Sequence, residues 1–136
     1  MKTFLGTAAA ALTLTAGFAF ADGHVMDGLK TAPQKLGHAI VVESVTAGQD
    51  GWVVIHALKD GKPVVPTSIG HTYVKAGTTE NVHVALTEAV EGDKVIAMLH
   101  SDDGELGVYQ FGADSTEFDK PVAFDGNVVV APIAIE

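Results

Sequence analysis

From His38 to the end of the chain, apolar residues gather in short runs separated by clusters of Gly, Asp, Pro and Lys. The runs cover residues 39–45, 52–58, 69–74, 82–86, 94–100, 108–111 and 128–135, with a minor run at 121–124 that suits an edge strand because Pro121 opens it. About seven short β-rich runs with turn signals between them predict an all-β chain folded as a sandwich or small barrel. Val82, Val84 and Leu86 alternate with Asn81, His83, Ala85 and Thr87, which predicts a strand with one buried and one wet face. Residues 52–58 and 95–99 are apolar on both faces, the pattern of central strands. No window after residue 21 carries a helical stripe. The expected core includes Trp52, Val54, Val84, Leu86, Ile96, Met98 and Val130.

The start of the chain has a different pattern. Lys2 precedes an apolar stretch rich in Ala and Leu, and Ala19-Phe20-Ala21 supplies the small-x-small signature of a signal-peptidase site. The expectation is a signal peptide over residues 1–21, cleavage after Ala21, and a periplasmic or secreted product. The apolar stretch is too short for a membrane span, which needs about 20 residues. No cysteine is available for a lipid anchor. Residues 22–37 contain three Gly and one Pro without a sustained period, and read as a flexible leader to a β-sandwich domain over residues 38–136.

Composition narrows the function classes. Without cysteine the domain has no disulfides, thiolate metal sites or Cys nucleophile. Beyond residue 21 it carries 7 Lys, no Arg and 17 acidic residues, a net charge of −10 with His neutral. Such a surface repels phosphate backbones and anionic lipid, so nucleic acid and membrane surfaces are poor partners. Lack of Arg removes bidentate clamps for phosphate or carboxylate substrates. Ser68 lies in Pro66-Thr67-Ser68-Ile69-Gly70, which lacks the first glycine of a nucleophile elbow. Neither H-E-x-x-H nor a Gly-rich phosphate loop occurs.

Several blocks follow one another in a recognisable order. They are Gly51-Trp52-Val53-Val54-Ile55-His56, Tyr73-Val74-Lys75-Ala76-Gly77, Asn81-Val82-His83-Val84 and Ala97-Met98-Leu99-His100-Ser101-Asp102. Gly104, Gly107, Tyr109 and Phe111 complete a pattern H-x-D-x-G-x-x-G-x-Y-x-F. The set, spanning roughly residues 39–135, resembles a family of secreted β-sandwich domains from bacteria and salt-adapted archaea for which no activity is established. The resemblance implies an immunoglobulin-like antiparallel sandwich, an extracytoplasmic location and a non-catalytic role. It carries over no site residue.

Histidine supplies the candidate chemistry. His56 and His100 each stand near the end of a strongly apolar strand. If those strands are neighbours the imidazoles can meet, with Asp102 or His71 completing a site for Zn or Cu. The plainer alternative has each His bonded to backbone at a strand end, with no cofactor. Asp102-Asp103-Gly104-Glu105 departs from a calcium loop, since Gly104 replaces its second Asp and Ala113 its bidentate Glu. Cleavage after Ala21 would expose Asp22-Gly23-His24, whose amine, two amide nitrogens and imidazole can form a planar chelate for Cu(II). The leading expectation is therefore a non-catalytic binding or structural module, its partner a metal ion or another extracytoplasmic protein. The alternative is a periplasmic metal-binding protein using Asp22, Gly23 and His24, or His56, His100 and Asp102.

Overall fold

A computed structural model describes residues 27–136. The expected signal peptide and Asp22, Gly23 and His24 lie outside the described residues. In chain order the strands are β1 (Gly28–Lys30), β2 (Ala39–Ala47), β3 (Gly51–Lys59), β4 (Lys62–Pro63) and β5 (Gly70–Val74). They continue with β6 (Gly77–Ala85), β7 (Lys94–Ser101), β8 (Ala123–Phe124), β9 (Asn127–Val128) and β10 (Val130–Ala134). No helix occurs among the described residues.

Two antiparallel sheets form an all-β sandwich. One has the order β1-β2-β6; the other runs β10-β7-β3, with β5 and the short β4 on the far side of β3. Strands β8 and β9 make a separate small ribbon. Ile40, Val42, Val45, Val82 and Val84 of the first sheet share one core with Val53, Ile55, Val95, Ala97, Leu99 and Ile133 of the second. Fully burying such a side chain contributes about 1.5–3 kcal/mol. In β6 the alternation reads as the sequence predicts, with Val82 and Val84 buried and Asn81, His83 and Ala85 exposed.

The inward phase of β2 changes midway, from Ile40 and Val42 to Val45 and Ala47. Opposite this change Asn81 takes a left-handed backbone (φ 52), and the Glu43–Asn81 pair drops out of an otherwise continuous ladder. Asn tolerates that conformation better than most residues. Gly70 has another role. A Cβ there would stand 2.5 Å from the carbonyl oxygen of Ala85, so only glycine lets β5 pass the end of β6.

The structure corrects three expectations. The leader does not extend to Gly37: Gly28–Lys30 pairs with Ser44–Thr46, so the folded domain begins well before residue 38. The side chain of Gln34 acts like strand backbone, donating to the Val41 carbonyl and accepting its N–H, each at 2.9 Å. The backbone of Gln34 is tied to Ala134 and Glu136. One glutamine creates no period, so composition alone marks this segment as loose. Residues 108–111 form no strand; they belong to the long connection between β7 and β8. In the core list, Trp52, Val54, Val84 and Met98 are buried, but Leu86 and Ile96 are only half-buried, and Val130 is 44% exposed. Val130 pairs with Met98 on an edge strand and so shares the face turned away from the core, whereas Ala131 and Ile133 point inward.

Truncating Ile55 to Ala should lower unfolding free energy by about 2–5 kcal/mol, as expected for a fully buried aliphatic chain. Val130→Ala should remain within about 0.5 kcal/mol of wild type. Urea midpoints of the two variants check this division.

Candidate functional site

The outer face of the second sheet is largely buried as well, with Trp52, Val54, His56, Met98 and His100 all buried. Register places Trp52 opposite His100, Val54 opposite Met98 and His56 opposite Ile96, so all six share one face. On the other side of β3, His71 lies opposite Val54 and Tyr73 opposite Trp52. The inner residues Val53, Ile55, Ala97 and Leu99 face the core. The chain between β7 and β8 folds back over this outer face and brings Tyr109 and Phe111 onto it. Tyr109 stacks on His71 at 4.4 Å and meets Trp52 edge-on at 5.5 Å, while Phe111 meets His100 at 5.0 Å.

Carboxylates hold this roof in place. Asp119, fully buried, accepts the N–H groups of Asp103 and Gln110 at 2.8 and 2.7 Å. Asp103 returns the favour by accepting the Asp119 N–H at 2.7 Å. Asp102 accepts the Gly107 N–H at 2.9 Å. Its carboxylate is thus committed to the loop, and the structure does not join it to a ligand set with the histidines. Burial holds the Asp119 carboxyl above its ordinary range against the two N–H donors.

His56 and His100 do come together. In register they are four positions apart, roughly 13 Å along the strands, yet their ring centres are 5.7 Å apart with planes 23° from parallel. The two side chains therefore lean toward one another across the Val54–Met98 pair. Both are fully buried. Nδ1 of His100 lies 2.7 Å from the Asp119 carbonyl; Nδ1 of His56 lies 3.0 and 2.8 Å from the carbonyls of Val64 and Thr67. A carbonyl oxygen only accepts, so each Nδ1 carries the hydrogen and each Nε2 is left with a bare lone pair. Both Nε2 atoms are buried without a hydrogen bond among the described residues.

Among the described residues, the buried side-chain polar atoms lacking a well-formed hydrogen bond are these two, Trp52 Nε1 and Tyr109 Oη, and all four belong to this one aromatic cluster. Leaving such a group unsatisfied costs about 1–3 kcal/mol. Burial lowers the pKa of His100 to about 4, against the help of the Asp119 carbonyl, and the neighbouring His56 pushes the same way. His56 is lowered by burial too, and so is His71. The Tyr109 phenol is pushed up, by burial first and then by the charge of Asp119.

The remaining histidines stay apart. His71 is exposed, and its ring is engaged by Tyr109 and Trp52. His83 is exposed, as its place on the wet face predicts, with Nδ1 3.0 Å from the Asn81 carbonyl. Among the described residues no group of three or more His, Cys, Asp or Glu converges as a metal-holding set. Residues not singled out as site candidates prove central: Met98, Tyr109, Phe111 and Asp119. Tyr109 and Phe111 stand in the H-x-D-x-G-x-x-G-x-Y-x-F pattern, but Asp119 lies beyond it with no local signal.

Compared with known protein families, residues 28–136 match a family model described as a domain of unknown function, DUF7282. No curated protein and no solved structure matches the chain.

Two expectations follow from the roof and the buried rings. Asp119→Asn keeps a residue that tolerates the left-handed backbone found there (φ 55) but presents an NH₂ to one of two bound N–H groups. It should cost about 1–3 kcal/mol and make Trp52 more accessible to acrylamide quenching. The second concerns pH. A histidine lowered in the fold binds protons more readily when unfolded, so its stabilisation is intact above the unfolded value of about 6.5 and is lost as pH falls. For His100 the loss runs from there to about 4. His56 and His71 act in the same sense, and Asp119, raised by burial, opposes them. Urea midpoints should fall steadily between pH 6.5 and 4, and less steeply in His100→Asn.

Proposed function

The chain belongs to the DUF7282 family, and from that premise we propose that its domain is an exported, non-catalytic module that binds a transition-metal ion of the copper or zinc class through His56 and His100. One observation carries the reading: two adjacent buried imidazoles hold unprotonated Nε2 atoms with no hydrogen-bond partner among the described residues. A histidine metal ligand typically has its other ring nitrogen fixed by a carbonyl or carboxylate. Asp119, Val64 and Thr67 supply that arrangement here. A purely structural histidine would use both nitrogens or face water with one. The acidic groups nearest the pair are occupied with backbone N–H groups, which speaks against acid–base or nucleophilic chemistry. The proposal keeps Asp22, Gly23 and His24 as a separate Cu(II) chelate at the processed amino terminus.

Protein isolated from the extracytoplasmic fraction should have a mass corresponding to a start at Asp22; its absence from that fraction would overturn export, and retention of Met1 there would overturn cleavage after Ala21. In a His24→Ala background it should hold about one equivalent of copper or zinc by elemental analysis. His56→Asn/His100→Asn should hold none, while its circular dichroism stays that of the parent. Asn places an amide nitrogen near the position of Nδ1, so the bonds to the carbonyls persist and only Nε2 is lost. A wild-type domain that takes up neither ion rejects the binding reading.

A further inference from the structure

We propose that the bound ion is Cu(I), held in low coordination between Nε2 of His56 and Nε2 of His100 with the Met98 thioether as a weak third donor. This rests on the metal-binding reading above and narrows it to one charge state.

The donor count is the first argument. Zn(II) sites use four ligands, or three with a water, and no third His, Asp or Glu joins the pair among the described residues. Two neutral imidazoles satisfy Cu(I), which accepts linear geometry. The ring centres lie 5.7 Å apart, and on each ring Nε2 is the nitrogen left without a hydrogen bond among the described residues.

Charge is the second argument. The cost of burying an ion grows as the square of its charge, and it is already several kcal/mol for a monovalent ion in a real protein interior. Both rings are fully buried, His100 against Tyr109 and Phe111 and His56 against the carbonyls of Val64 and Thr67. The carboxylates of Asp102 and Asp119 accept from Gly107, Asp103 and Gln110, and among the described residues they do not converge with the two histidines as a metal-holding group. A monovalent guest therefore enters at far lower cost than a divalent one.

The third is softness. Met98 is 5% exposed and lies two residues from His100 on the same face, in the cross-strand pair that both imidazoles lean across. A thioether favours Cu(I) over Zn(II) and Cu(II).

Trp52, the only tryptophan, is the cross-strand partner of His100 and reports on the site. The experiment is an anaerobic titration of the His24→Ala protein with Cu(I) against a coloured Cu(I) chelator, repeated with Zn(II). One equivalent of Cu(I) should bind and quench Trp52 emission, with equimolar Zn(II) failing to displace it. X-ray absorption should show two short copper–nitrogen paths and a longer sulfur path. His56→Asn and His100→Asn should each weaken Cu(I) by about 100-fold or more, and Met98→Leu, which keeps volume, by about tenfold. Zn(II) binding as tightly as Cu(I) overturns this inference and leaves the metal-binding reading standing. Binding of neither ion overturns both. Unchanged Cu(I) affinity in Met98→Leu removes the thioether from the site, and unchanged affinity in both Asn variants places the copper elsewhere.

Discussion

Strands β3 and β7 run side by side with apolar side chains on both faces, and a two-sheet sandwich can cover only one of them. The inner face, with Val53, Ile55, Ala97 and Leu99, is satisfied by the first sheet. The outer face, with Trp52, Val54 and Met98, needs a second cover, and the chain after β7 provides it. That segment leaves several of its apolar side chains, Leu106, Val108 and Phe118, exposed. It stays down because Asp102, Asp103 and Asp119 bind its backbone N–H groups and because the Asp119 carbonyl accepts from His100. The central strand pair thus dictates the roof, and the roof creates the enclosed environment in which the histidines sit.

Enclosure has a cost that falls on those histidines. Each keeps one hydrogen bond, through Nδ1, and gives up the one Nε2 could make with water. A sequence selected only for stability has cheaper options at both positions, since an aliphatic residue would fill a buried outer-face site without an orphaned nitrogen. Trp52 on β3 and Tyr109 in the roof add two more buried atoms without a well-formed hydrogen bond within the same cluster. Departures from local optimality concentrated in one place, inside an otherwise consistent sandwich, are where function is expected to lie.

Much of this was legible in the sequence, for identifiable reasons. Alternation at Val82 and Val84 and the two-sided runs of β3 and β7 are statements about periodicity, and they located the sheets and their centre. The pairing of His56 with His100 needed one further assumption, that β3 and β7 are neighbours, which the register supplies. What stayed hidden depends on single side chains acting at long range. Gln34 stitches the amino-terminal segment to β2 with its amide, and Asp119 anchors a turn sixteen residues upstream with its carboxylate. Neither leaves a pattern in neighbouring positions. Asp102 misled for a related reason. Two residues beyond His100 it reads as a possible ligand, yet the Gly107 N–H claims its charge first.

The same distinction bears on what the acidic surface contributes. A net charge of −9 over the chain raises the local concentration of cations of every kind, within a screening length of about 8–10 Å. That field makes no choice among them. Selection needs donors free to coordinate, and the carboxylates nearest the buried pair are bound to backbone N–H groups instead. The field therefore draws cations toward the domain, while the interior offers two neutral nitrogens and one sulfur. In the proposed site a single positive charge carries the lowest burial cost per ion. Under the Cu(I) proposal, acidity and selectivity are separate devices, one at the surface and one at the buried pair.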